Sequence, residues 1–127
     1  MITVIRGGDG VSSDLGSSTF TGEVWRDRVM TERDGVQMGN NFFAPGARTH
    51  WHSHPGGQAL LVVAGEGLVG EEGREPYRVT VGDIIWTPPG VRHWHGATPD
   101  RFLVHTAITI GGVTWQEPVE DEQYRSS

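Results

Sequence analysis

The chain has 127 residues, a length that predicts one domain with a single core. It contains no cysteine, which excludes disulfides and thiolate chemistry, and no lysine, which excludes Schiff-base catalysis. The formal charge of −6 argues against nucleic acid as a partner, and no apolar run approaches the roughly 20 residues that a membrane span needs. Six histidines remain, and five of them lie in two short clusters.

The N-terminal part, residues 1–19, is expected to form a strand and a loop. Residues 1–10 lack the apolar segment of a secretory signal, so a cytoplasmic location is expected. Residues 7–18 are rich in glycine and serine and predict the loop. Residues 2–5 form a short apolar strand that could pair with a sheet edge of a second copy of the chain.

Short strands are predicted along the rest of the chain, because β-branched and aromatic segments alternate there with turn residues. They cover residues 20–29, 36–43, 48–54, 58–64, 68–71, 77–81, 83–87, 93–96 and 102–110. No window has a helical period, so an all-β sandwich or barrel is indicated. The apolar runs 60–63 and 84–86 predict strands buried on both faces. Residues 117–127 form a polar tail with at most one short helical turn.

The first histidine cluster places an imidazole at every second position of residues 48–54. Side chains alternate along a strand, so His50, His52 and His54 would share one face. Neighbouring histidines would then be about 6.5–7 Å apart along the strand, a spacing from which two imidazoles can converge on one metal with bonds of about 2 Å. The cluster therefore predicts a metal site on one face of this strand.

The second cluster repeats this arrangement with His93 and His95 on one face and Trp94 on the other, and His105 lies in the next predicted strand. For a single histidine of this kind, a hydrogen-bonded group at the mouth of a barrel is the favoured explanation. Five imidazoles facing inward would be costly to desolvate without a partner, and a metal ion supplies that partner.

Two spaced motifs resemble those of the cupin family, whose members have a jelly-roll β-barrel or sandwich fold in a single domain. The first consists of Gly46, His52, His54, Gln58 and Gly65, and the second of Gly82, Pro88, Gly90 and His93. The resemblance implies that His52, His54, Gln58 and His93 bind one divalent transition metal per chain. Manganese is the first expectation, with iron, nickel, zinc and copper as alternatives.

Gln58 stands where cupins usually have glutamate, and Ala97 where they usually have asparagine. An amide oxygen at residue 58 makes the set of ligands neutral, so a bound ion keeps its full charge and favours an anionic exogenous ligand. The alternative is that Gln58 orients a water molecule instead of binding the metal.

A closer resemblance is to small bacterial cupins related to manganese-dependent hydroxynitrile lyases, often described as carboxymuconolactone-decarboxylase-like cupins. The matching segments are residues 20–22, 45–49, 51–55, Gln58, 82–83, 93–97 and 121–125. His95 and His105 also fit this subgroup, whereas His50 stands where a small residue is usual. The resemblance implies a homodimer or higher homo-oligomer.

The pocket is expected to be lined by Gln37, Gly39 and Asn41, which share one face of a strand, and by His50. A bulge at residues 40–41 is an equal alternative for the two asparagines.

Three functions follow from the resemblance. The first is lyase chemistry on a small organic molecule, of the hydroxynitrile lyase type, with His95 or His105 as the base. The second is an oxygen-dependent dioxygenase, and the third is non-catalytic, metal-dependent binding of a small molecule.

Overall fold

The computed structural model describes residues 1–7 and 12–125 and contains twelve strands and one short helix within these ranges. The elements are β1 (Asp14–Leu15), β2 (Phe20–Thr21), β3 (Val24–Arg33), β4 (Val36–Phe43), β5 (Arg48–Thr49), β6 (His52–Ser53), β7 (Gln58–Glu71), β8 (Tyr77–Thr80), β9 (Ile84–Thr87), β10 (His93–Ala97), β11 (Leu103–Ile110), β12 (Thr114–Trp115) and α1 (Asp121–Tyr124). The predicted all-β jelly roll is confirmed. Part of the predicted N-terminal loop, residues 8–11, and the last two residues of the tail lie outside the described ranges.

The strands form one curled antiparallel sheet in the order β1-β3-β4-β11-β7-β10-β5-β2, and β6, β8, β9 and β12 join it at the side of this path. Residues 2–5, predicted as a strand, have no regular secondary structure and are exposed. Within the described ranges, the chain has no helix that is long and apolar enough to cross a bilayer.

The 14-residue strand β7 joins the two halves of the sheet, where two separate strands were predicted. Its first part pairs with β9 and β11, and its second part pairs with β8 and β10. Gly65 lies where the strand changes partners, at φ +81°, and a Cβ at this position would lie 1.8 Å from the carbonyl oxygen of Phe102. Only glycine allows this close approach, so the strand continues through it and curls the sheet around an interior.

The prediction of one strand over residues 48–54 is wrong. β5 ends at Thr49, and β6 begins at His52 after a bend at which Trp51 exchanges backbone hydrogen bonds with residues 116 and 117. The predicted strand 20–29 is also divided, at Gly22, where φ is +82°. At Trp51, hydrogen bonds with a distant part of the chain end the strand earlier than local sequence preference indicates. At Gly22, a backbone conformation that favours glycine interrupts it.

The core consists of two clusters on opposite sides of β10. The inner cluster lies between the two halves of the sheet and contains Val24, Phe43, Ala47, Val62, Val69, Val79, Ala97 and Leu103. The outer cluster contains Trp51, Leu68, Trp94, Val119 and Tyr124, two of which belong to the C-terminal tail. The tail is held on the sheet by the Tyr124 hydroxyl, which donates to the Ala97 carbonyl at 2.5 Å, and by the buried Arg48 guanidinium, which donates to Asp121 at 2.7 Å.

The two apolar runs are buried on one face only, which corrects the prediction for residues 60–63 and 84–86. Leu60 and Val62 are fully buried, whereas Leu61 and Val63 are 40% and 46% exposed. In β9, the strand that pairs with this part of β7, Ile84 is exposed as well. An apolar run does not reveal whether its second face is covered by the same chain.

Candidate metal centre

Five of the six histidines converge on the inner side of the sheet, and all five are buried. His52 lies on β6 directly opposite His93 on β10, and their ring centroids are 4.2 Å apart. His54 follows β6, with its ring centroid 5.0 Å from that of His52. His95 lies two residues after His93 on β10, and His105 lies on β11, 4.8 Å from His95 between ring centroids. The fold therefore brings together imidazoles that are up to 53 residues apart in sequence.

Three of these rings have the same hydrogen-bond arrangement, in which Nδ1 lies against a backbone carbonyl. The carbonyl oxygens belong to His50, Gly112 and Val91, at 2.9, 2.7 and 3.0 Å from the Nδ1 atoms of His52, His54 and His93 respectively. A carbonyl oxygen only accepts, so each Nδ1 carries the hydrogen and each Nε2 has a free lone pair. This is the arrangement by which proteins orient histidines that bind a metal through Nε2.

Gln58 adds an oxygen to the same group. Its amide nitrogen donates to the hydroxyl of Thr109 at 2.9 Å, which turns Oε1 to within 3.4 Å of the His93 Nε2. With the His93 hydrogen on Nδ1, both facing atoms have lone pairs and neither has a hydrogen. A positive ion would satisfy both atoms, whereas a hydrogen bond between them would not.

His95 and His105 form a second, different arrangement. The His105 Nε2 and the His95 Nδ1 are 3.0 Å apart and buried, so one of the two rings donates to the other. The outer nitrogens of this pair, the His95 Nε2 and the His105 Nδ1, have no hydrogen-bond partner within residues 1–7 and 12–125, and neither has the His54 Nε2. Nitrogen atoms of His52, His93 and His95 lie within 4.8 Å of one another and could hold a metal ion. Three of the predicted histidines could therefore hold a metal ion, and this set contains His95, predicted as a base, in place of His54, predicted as a ligand. The imidazole and amide donors fit a divalent transition metal.

Burial lowers the pKa of every histidine in this group. Desolvation lowers the pKa of His93 and of His105 to about 4, and lowers that of His54 below its usual value. The pKa values of His52 and His95 lie well below 6.5 because burial acts first and the neighbouring imidazoles add to it. All five rings are therefore neutral near pH 7, which is the form that binds metals.

A cavity of about 520 Å³ opens onto this group. Its lining includes most of the predicted residues, namely Gln37, Gly39, Asn41, His52, His54, Gln58 and His95. The His50 side chain is not part of the lining formed by the described residues, because the bend before β6 takes it out of the alternation. His93 contributes instead to a second cavity, of about 550 Å³, between β8 and β9.

Phe20, Phe43 and Trp115 form an aromatic wall of the first cavity, and Phe20 and Trp115 were not predicted to line it. The Trp115 ring centroid is 4.7 Å from that of His52, yet Trp115 lies on a two-residue strand that no periodicity could detect. Arg26 and Arg28 at the cavity mouth were also missed. Their alternation with the buried Val24 was a usable signal, since it places all three on one side of β3.

The curled sheet and the inward-facing histidines define the class of protein. Residues 42–107 match the model of the Cupin_2 family, described as a cupin domain, and the chain belongs to this family.

Two relatives match nearly the whole chain. The (R)-mandelonitrile lyase of Granulicella tundricola is 45% identical over 112 residues, which are 84% of this chain and 86% of that protein. A cupin-like protein from Thermotoga maritima has a solved structure that matches with a TM-score of 0.80 and 41% identity, covering 98% of this chain and 96% of its own. A shorter match, 28% identical over 75 residues, is to the acireductone dioxygenase of Bacillus pumilus and covers 56% of this chain and 43% of that protein.

Proposed function

We propose that this cupin is a metal-dependent lyase that cleaves or forms the carbon–carbon bond of a hydroxynitrile. The observation that supports it is the presence of two kinds of buried imidazole side by side: three rings whose Nε2 atoms are free for a metal, and the His95–His105 pair next to them. The 45% identity to an (R)-mandelonitrile lyase supports the reaction class.

In this proposal His52, His54, His93 and the amide oxygen of Gln58 hold one divalent transition metal, with manganese as the first candidate. The three hydrogen bonds to backbone carbonyls keep the rings oriented, and the bond from Gln58 to Thr109 keeps the amide oxygen turned toward them. When bound, the metal supplies Lewis-acid stabilisation of the negative charge that develops in the reaction.

The His95–His105 pair moves the proton. His95 lines the cavity, and its Nε2 has no hydrogen-bond partner among the described residues, so it can accept the proton of the substrate hydroxyl. The electrons of that O–H bond form the carbonyl of the product aldehyde, and the carbon–carbon bond breaks with its electron pair on cyanide. His95 then returns the proton to cyanide, giving hydrogen cyanide. Throughout, the His95 Nδ1 donates to the His105 Nε2, which stabilises the positive charge on His95 while it holds the proton.

Elemental analysis of the purified protein and a mandelonitrile assay test this proposal. We expect about one transition metal per chain, and release of benzaldehyde and cyanide well above spontaneous decay. H52A should lose both metal and activity, and H95A should keep the metal and lose activity. H50A is the matched control, because its imidazole lies outside the cavity lining of the described chain, and it should keep both. Metal-loaded protein without activity above the H52A variant would contradict the proposal.

An oxygen-dependent dioxygenase is the second candidate, supported by the match to an acireductone dioxygenase and by the three imidazoles that could hold a metal. Turnover that stops under strictly anaerobic conditions would favour it, and equal turnover with and without oxygen would exclude it. A metal-loaded protein that binds a small molecule tightly without turning it over would instead indicate a binding protein.

We further propose that the chain acts in the cytoplasm as a homodimer or higher homo-oligomer. The exposed apolar side chains on the outer face of β7 and β9 support a self-association surface. They include Leu61, Val63, Ile84 and Trp86. Light scattering during gel filtration would contradict the proposal if it gave the mass of one chain at micromolar concentration.

A further inference from the structure

Arg26 lies on the cavity side of the sheet, in the same cross-strand row as His105 of the histidine pair. It pairs with Asn41 on β4, which in turn pairs with His105 on β11, so these three side chains point to one face. Arg26 and His105 are therefore two strand spacings apart, each of about 4.8 Å. Arg28 lies in the next row, opposite Gly39, and both arginines line the mouth of the 520 Å³ cavity.

Within the described chain, the two mouth arginines share a single carboxylate. The Arg26 Nε and Nη2 are 3.2 and 3.1 Å from one oxygen of Asp14, and the Arg28 Nη2 is 3.6 Å from the other. The two guanidinium groups therefore carry one positive charge more than the carboxylate with which they form ion pairs. Guanidinium groups are the side chains best suited to bind a carboxylate with two parallel hydrogen bonds.

Two other acidic residues border the cavity, but within the described chain neither forms an ion pair with Arg26 or Arg28. Asp27 points to the opposite side of β3 from Arg26 and accepts a hydrogen bond from Ser13. Glu32 is six residues from Arg26 and four from Arg28 along the strand, about 20 and 13 Å away, which exceeds the screening length at physiological salt. The residues proposed to hold the metal are all uncharged as well, so nothing at the inner end of the cavity opposes an anion.

An aromatic wall connects the mouth to the histidines. The Arg26 guanidinium lies 5.4 Å from the Phe20 ring centroid, Phe20 lies 5.7 Å from Trp115, and Trp115 lies 4.7 Å from His52. A molecule in the cavity would thus meet a cation at one end, aromatic rings along its length and imidazoles at the other end.

We infer that the natural substrate is a small organic carboxylate, whose carboxyl group binds Arg26 in place of Asp14 while its apolar part lies against Phe20 and Trp115. The reacting carbon then faces His95. This assignment of the reacting end rests on the proposed lyase function, whereas the carboxylate site at Arg26 stands independently of it. Asp14 occupies the site in the absence of substrate, on a strand of only two residues paired with β3.

Binding of benzoate and of its neutral analogue benzamide tests the inference without any need for turnover. Both are titrated into the full-length protein by calorimetry, as purified and again after treatment with a chelator. We expect benzoate to bind at least tenfold more tightly than benzamide in both forms. R26Q should weaken benzoate binding at least tenfold and leave benzamide unchanged, and D14N should tighten benzoate binding several-fold because the competing carboxylate is removed. R101Q, which removes an exposed arginine paired with Glu66 outside the cavity, should change neither.

Equal affinities for benzoate and benzamide would overturn the inference, and so would an R26Q protein that is still folded by circular dichroism and binds benzoate normally. If D14N and R26Q both lower the melting temperature without changing the affinity for benzoate, the ion pairs only stabilise the pairing of β1 with β3, and the inference is overturned as well. If the protein turns over mandelonitrile but does not bind benzoate more tightly than benzamide, the carboxylate inference is overturned and the lyase proposal is not. If it binds benzoate more tightly than benzamide but does not turn over mandelonitrile, the carboxylate inference stands and the lyase proposal is overturned.

Discussion

On its inner side β10 presents His93 and His95, whereas on its outer side it presents Trp94. The inner side holds buried nitrogen atoms that lack hydrogen-bond partners within the described chain. The outer side is closely packed: a Cβ at Gly70 would lie 1.9 Å from the Trp94 indole nitrogen, and Val119 and Tyr124 of the C-terminal tail belong to the same core cluster as Trp94. The close packing of the outer side therefore holds the strand in place, while its inner side keeps unsatisfied groups oriented for a ligand.

The largest expected effect is the loss of stability on acidification, which acts through the buried histidines of the inner side. The unfolded chain binds protons near pH 6.5, but burial lowers the pKa of His93 and His105 to about 4, so between these pH values the folded state binds fewer protons. The free energy of unfolding of the metal-free protein should therefore fall as pH drops from 6.5 to 4, by about 3 kcal/mol for each of the two. Urea unfolding across this range measures it. H105Q should give a visibly smaller slope, and an unchanged slope would contradict the assignment.

Truncation on the outer side should be the next largest effect. W94A removes a fully buried indole and leaves a cavity beneath the tail, which should cost about 3–5 kcal/mol. Y77A, which removes an aromatic ring that is 46% exposed on β8, should cost less than about 1 kcal/mol. Denaturant unfolding of both variants at the same pH makes the comparison, and similar losses would show that the outer cluster does not depend on Trp94.

Metal removal should distinguish the two sides of β10, because a bound ion would contact residues of the inner side alone. At a free metal concentration 100 times its Kd, binding should stabilise the fold by about 2.7 kcal/mol. Thermal unfolding with and without chelator should show this difference for the unmodified protein and for W94A, and should not show it for H52A. A metal effect that persists in H52A would place the ion elsewhere.

The smallest loss of stability is expected when the hydroxyl that hydrogen-bonds the tail to the sheet is removed. Y124F keeps the ring in the outer cluster and removes only the hydrogen bond to the Ala97 carbonyl, so the cost should be about 1 kcal/mol. Metal content measured by elemental analysis should not change. Loss of metal from Y124F would mean that the tail, and not the sheet alone, orients the histidines of β10.

Local alternation was enough to predict an all-β sandwich or barrel and the division of β10 into a histidine side and a tryptophan side, and the resemblance to cupins implied the jelly roll. Alternation also predicted that Gln37, Gly39 and Asn41 share a face, and the pairing of β4 with β11 has this register. These features depend on the two-residue period of a strand, which the sequence contains directly.

The features that were missed depend on distant parts of the chain. The bend at Trp51 is fixed by hydrogen bonds to residues 116 and 117, about 65 positions away, and it removes His50 from the face predicted for it. Arg26 lies in a strand with mostly exposed residues, where an arginine is usual, and only the pairing of β3 with β4 places it over the cavity. Hydrophobicity and spacing contain no information on such long-range pairing.

The path of β7 also has a consequence for the order of folding. All of its pairing strands, β8 to β11, follow it in the sequence, so a nascent chain that ends at Glu71 has nothing with which to pair this central strand. The histidines of β10 and β11 meet those near β6 only after these late strands have docked. Such non-local topology is typical of domains that fold in milliseconds to seconds rather than microseconds. Ligand binding should therefore be among the last properties that the newly made protein acquires.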